Sequence, residues 1–122
     1  MKNSFTLLLF VLSYLATGQV VINELDSDTP STDDREFIEL KSTTPNFPLD
    51  GYVLVFFNGN ATSSTANQSY YTIDLDGLTT DANGIILIGN ALITPAPDKI
   101  LSDNIIQNGA DGVGLYLGNP SD

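Results

Sequence analysis

The sequence predicts an all-β domain, an antiparallel sandwich or barrel, and three observations carry that expectation. First, helical periodicity is hard to find after Gly18, whereas short apolar or alternating runs recur between turn signals. Second, six of the ten glycines follow Asn or Asp, at Gly51, Gly59, Gly77, Gly84, Gly109 and Gly112. Such pairs supply the positive-φ residues that tight turns need. Third, 42% apolar and 9% aromatic residues suffice for a packed core despite the acidity.

The chain opens with Met1-Lys2-Asn3-Ser4, a largely apolar run from Phe5 to Leu15, and the small residues Ala16-Thr17-Gly18. A single cation, a short apolar stretch and small residues before the cut describe a secretory signal peptide spanning 1–18, removed before Gln19. The run is too short to span a bilayer, which takes about 20 apolar residues. No Cys follows it, so the chain is not a lipoprotein, and no later stretch approaches membrane length. Removing 18 of 122 residues leaves 104, enough for one hydrophobic core. The expected setting is secreted, extracellular or at the cell surface, with no disulfide to help hold the fold.

Six strands are expected: Val20 to Leu25, Glu36 to Lys41, Tyr52 to Phe57, Tyr70 to Leu75, Ile85 to Ile88 and Val113 to Leu117. A seventh, Ile100 to Ile106, is interrupted by Ser102, Asp103 and Asn104. Tyr52 to Phe57 is apolar at every position, as in a strand covered on both faces or one whose outer face meets a partner. The segment 58–69 is small, polar and uncharged, so it reads as an exposed loop with little order of its own. It holds two glycosylation sequons, at Asn60 and Asn67, which matter only in a eukaryotic host.

The composition also bounds the chemistry. Four basic residues against 15 acidic give −11, and loss of Lys2 with the leader makes it −12, which argues against nucleic acid or anionic lipid as a direct ligand. His, Cys and Trp are absent, so imidazole and thiolate catalysis and metal ligation are unavailable to this chain. Any catalysis would be run by carboxylates. The densest acidic cluster holds Asp26, Asp28, Asp33 and Asp34, an oxygen-rich loop of the kind that binds Ca²⁺, although Pro30, Ser31 and Phe37 break the EF-hand pattern. The plainer reading is a solvated turn. Asp74, Asp76, Asp81 and Asn83 form a second acidic group whose Asp-Gly and Asn-Gly pairs already have a turn-forming explanation. Asp26 or Asp28 followed by Glu39-Leu40-Lys41 superficially matches metal-dependent nucleases, and Glu24, Glu36 and Glu39 could in composition supply a glycosidase pair.

The runs Val20 to Leu25, Glu36 to Leu40, Leu49 to Leu54, Gly84 to Ile88 and Gly112 to Leu117 resemble the successive strands of a lamin tail domain. The most specific parts are Ile22-Asn23-Glu24 and Glu36-Phe37-Ile38-Glu39-Leu40, and the resemblance covers essentially the whole segment 19–122. It implies an immunoglobulin-like β-sandwich of the kind found in bacterial secreted proteins, taken there to be a binding or tethering module. The family has no assigned catalytic residues, so Asn23, Glu24, Glu36 and Glu39 are expected to be structural polar groups at strand ends. The family pattern runs through at least one strand beyond Leu117, which implies that the domain is truncated at its C-terminal strand and that the natural chain continues.

The functional expectation is therefore a non-catalytic, secreted or cell-surface module with a protein or cell-surface ligand, lying near the N-terminus of a longer protein. The alternatives are a calcium-binding acidic matrix or adhesion domain, and a carboxylate-run hydrolase using Asp26, Asp28 and Glu39. No cofactor is expected other than calcium in the first of these.

Overall fold

A computed structural model describes residues 19–28, 30 and 32–120. The proposed signal peptide lies outside the described residues. Among them, seven strands form: β1 (Val20–Asp26), β2 (Phe37–Ser42), β3 (Tyr52–Phe57), β4 (Ser69–Asp74), β5 (Ile85–Asn90), β6 (Lys99–Leu101) and β7 (Gly112–Leu117). They build two sheets, one ordered β1-β2-β5-β6 and the other β4-β3-β7. No described residue is helical, so the all-β sandwich is the observed architecture.

The core follows from strand periodicity. Side chains alternate across a strand, so Ile38 and Leu40 of β2 point with Ile86 and Ile88 of β5 toward Leu54 and Phe56 of β3 and Ile73 of β4. These residues are almost completely buried, and Leu49, Leu75, Leu101 and Ile106 close the ends.

Two bulges place key side chains. In β1 the register shifts between Ile22 and Glu24, so Ile22 pairs with Leu40 and Glu24 with Glu39, leaving Asn23 as the extra residue. Strict alternation would have sent Glu24 to the inner face. The inserted residue instead keeps Val20, Ile22 and Leu25 on the inner side and moves Glu24 and Asp26 to the outer. In β4 the shift falls opposite Phe56 and Phe57, making Tyr70 the extra residue, so Tyr70 and Tyr71 both pack on Phe56, at 6.0 and 5.9 Å between ring centroids.

The apolar strand β3 is covered on its second face as well. Val53 is 4% exposed but lies outside the core cluster, paired with Tyr116 of β7. The Tyr116 ring lies over Gly114, where a Cβ would come within 2.5 Å of it, and meets Phe57 edge-on at 6.3 Å. The ring thus covers the gap that the glycine leaves on the outer sheet face.

Several expectations need correction. The pairing is antiparallel except between β5 and β6, which run parallel. The interrupted segment 100–106 is a strand only at its start, as Lys99–Leu101. Glu36 precedes β2 rather than opening it. Of the six Asn-Gly and Asp-Gly glycines, Gly51, Gly77 and Gly84 have positive φ, whereas the other three do not; the left-handed conformation is taken elsewhere by Asn46, Asn67 and Asn104. Asparagine tolerates it because its short side chain bonds locally to the backbone.

The 58–69 loop is also more organised than its composition suggests. The ladder of β3 and β4 continues through Asn58 N–H to the Gln68 carbonyl at 2.9 Å and Asn67 N–H to the Asn58 carbonyl at 2.6 Å. Asn58 Nδ2 donates to Thr65 Oγ1 at 2.9 Å and to Ser63 Oγ at 3.3 Å. Small polar side chains here stand in for missing backbone partners.

Candidate functional site

The two acidic loops resolve differently. Asp26 Oδ1 accepts the Asp28 N–H at 3.3 Å, and Asp33 Oδ2 accepts from Asn108 Nδ2 at 2.7 Å, tying this loop to the 102–111 segment. Among the described residues, no three acidic side chains are grouped as metal ligands would be. In the second group each carboxylate answers a turn amide. Asp76 Oδ1 accepts the Gly51 N–H at 2.6 Å and Asp50 Oδ1 accepts the Gly77 N–H at 2.8 Å, a reciprocal clasp between two turns. Asp81 Oδ1 accepts N–H bonds from Ile85 and Asn83, both at 2.8 Å, and these hold its carboxyl below the ordinary aspartate pKa.

Asn23, Glu24 and Glu39 meet on the outer face of the four-stranded sheet. Asn23 Nδ2 donates to Glu39 Oε1 at 2.6 Å, while Glu24 sits directly across the strand from Glu39. Like charges opposite one another destabilise a sheet, and one amide neutralises only part of that cost. Glu39, Glu24 and Asp26 line a groove of about 580 Å³. Its apolar lining comes from outward-facing Phe37, Ile85 and Leu87 and from Leu92, Ile93 and Pro95 of the segment after β5. Gly89 permits this arrangement: a Cβ there would stand 2.8 Å from Ile93 Cδ1 and 2.6 Å from the Glu36 carbonyl.

Glu36 is elsewhere and has a different part. It is fully buried, and Asn90, also fully buried, holds its backbone on both sides: Glu36 N–H donates to Asn90 Oδ1 at 2.5 Å and Asn90 N–H to the Glu36 carbonyl at 3.0 Å. Glu36 Oε2 accepts the Ile106 N–H at 3.3 Å, whereas buried Oε1 has no hydrogen-bond partner among the described residues. Loss of hydration pushes its carboxyl above the ordinary glutamate pKa, the Ile106 amide opposes this, and Asp33 and Asp103 add to the rise. The folded state therefore binds this proton more tightly than the unfolded chain. Stability from this group is present below the unfolded pKa and is lost as pH rises through the folded one. Thermal melts of Glu36→Gln from pH 4 to neutral are expected to show a flatter fall of Tm with rising pH than the parent. Parallel curves would contradict this account of Glu36.

The third feature is an open seam. Among the described residues β7 pairs with β3 on one side only, and β1 is one of the two edge strands of the other sheet. Between them runs a shallow cleft of about 790 Å³, lined by Val21 and Ile22 from β1 and Val113, Leu115 and Leu117 from β7. Leu117 is 75% exposed, and Val21 and Tyr116 are each about half exposed. The sequons lie apart from all three features: Asn60 and Asn67 are both exposed, and Asn60 Oδ1 accepts the Thr62 N–H at 3.1 Å and its hydroxyl at 2.9 Å.

Sequence reasoning reached the polar quartet Asn23, Glu24, Glu36 and Glu39, of which the fold joins three and buries the fourth elsewhere. It missed Asn90 and the groove. The signal for the groove was present in Ile85 to Ile88, apolar at every position and hence apolar on its outer face too. In the comparisons with known proteins, no family model, no curated protein and no solved structure matches this chain.

Proposed function

We propose that this chain is a non-catalytic binding or tethering module, secreted or displayed at the cell surface, with the immunoglobulin-like sandwich of a lamin tail domain. The open seam at β7 is the surface through which it engages a partner strand. The observation that carries the reading is the edge of β7, unpaired among the described residues, beside exposed Val21 and Leu117. Unpaired backbone donors and acceptors next to apolar side chains form a template for a further strand. The leader and the lamin-tail resemblance of residues 19–122 support the setting.

Light scattering over a concentration series tests the seam. The protein is expected to associate as concentration rises, and Val21→Lys with Leu117→Lys to keep it monomeric, since edge lysines block strand addition. Both positions are exposed, so Tm should move little. Identical association by parent and double variant would overturn the role given to the seam.

A further inference from the structure

We propose that the groove on the outer face of the four-stranded sheet is a second binding site, and that its ligand is an extended peptide segment carrying Lys or Arg side chains beside aliphatic ones. It shares no lining residue with the β7 seam, so it stands independently of the edge reading.

The argument begins with the apolar surface. Phe37, Ile85 and Leu87 face away from the core, yet segment 91–95 covers them only in part, and Leu92 remains 59% exposed. A groove of about 580 Å³ falls within the range of ligand sites, which pair an apolar floor with a few placed polar groups. Here those groups are nearly all of one sign. Glu24, Asp26 and Glu39 stand along the β1–β2 side, and among the described residues no Lys or Arg forms an ion pair with any of them. The bulge at Asn23 is what brings Glu24 to this face, opposite Glu39. A bulge that creates a like-charge pair beside an apolar floor acts against stability, and such local costs mark functional positions. A cation set between Glu24 and Glu39 removes the repulsion, and an aliphatic neighbour covers Phe37 and Leu87. Arg35 lines the same groove, so a bare polycation gains less than a segment that alternates cationic and apolar residues.

The test is titration of the ¹⁵N-labelled protein with acetyl-Leu-Lys-Leu-Lys-Leu-amide, with acetyl-Leu-Glu-Leu-Glu-Leu-amide, and with calcium chloride alone. The lysine peptide is expected to shift the amides of Phe37, Glu39, Leu87 and Ile93, and to bind more weakly as salt is raised. Glu24→Gln with Glu39→Gln should weaken it by about tenfold or more. That variant relieves the like-charge pair, so it should melt no lower than the parent, which separates lost binding from lost folding. Leu92→Ser, at an exposed position, should weaken binding as well. Equal binding of the glutamate peptide, unchanged affinity in the double variant, or the same groove shifts with calcium alone would each overturn the proposal. Shifts confined to β7 and to Val20, Val21 and Ile22 of β1 would also overturn it, while leaving the seam reading intact.

Discussion

Asn90→Ala is expected to destabilise the sandwich by about 2–4 kcal/mol, because it strands buried polar groups rather than merely removing contacts. Asn90 is completely buried; its Oδ1 accepts the Glu36 N–H, and its Nδ2 donates to the Ser102 carbonyl at 3.0 Å. One side chain therefore ties the approach to β2, the end of β5 and the segment after β6. Without it the Glu36 amide has no partner and no access to water. Asn90→Asp separates the two bonds: it retains an acceptor for Glu36 N–H, loses the donor to Ser102, and places a second carboxylate near one that is already short of hydration. Its deficit should shrink as pH falls and the new carboxyl protonates. Chemical denaturation of both variants at two pH values checks this, and an Asn90→Ala loss below about 0.5 kcal/mol, the range of ordinary surface changes, would contradict it.

Phe56→Ala should cost about 3–5 kcal/mol, the usual range for emptying a large aromatic site in a core. Phe56 is 1% exposed and touches both tyrosines that the β4 bulge turns toward it. Tyr70 is further fixed by its hydroxyl, which accepts the Gln107 N–H at 3.2 Å, so the rings have little freedom to collapse into the cavity. A domain of this size has about 5–15 kcal/mol in all, so the variant should lie close to the folding threshold. Phe56→Leu, which keeps most of the volume, should lose less than half as much. Equal losses for the two would mean that aromatic contact, not volume, governs the site.

The legibility of the fold in the sequence varied with how local its causes are. β3 and β5 were readable because continuous apolar runs bounded by Asp-Gly and Asn-Gly turns require nothing distant to form. β6 was legible only in part, the expected strand from Ile100 to Ile106 overlapping it at Ile100 and Leu101, since three residues carry no period of their own. Its parallel pairing is prepared by Asp98, whose carboxylate accepts the Leu87 N–H at 2.9 Å while its own N–H reaches the Leu87 carbonyl at 2.8 Å. The β1 bulge was equally hidden: Val-Val-Ile-Asn-Glu-Leu reads as a strand in either register, and only the partner residues Leu40 and Glu39 decide where the extra residue falls. Of the polar residues singled out at the start, Asn23, Glu24 and Glu39 share one face as a direct result of that bulge. Glu36 is separated from them because Asn90, 54 positions away, holds it inside. The apolar floor of the groove is legible in Ile85 to Ile88, whereas its wall depends on segment 91–95 folding back across Gly89, a tertiary event with no local sequence signature.

The central claim is that this module works through the unpaired edge of β7. Amide hydrogen exchange, followed from micromolar to millimolar protein, tests it most directly. The account predicts that β7 and β1 amides exchange more slowly as concentration rises, and that Val21→Lys with Leu117→Lys removes the effect. Exchange in β7 that is fast and independent of concentration, with protection growing elsewhere, would contradict it.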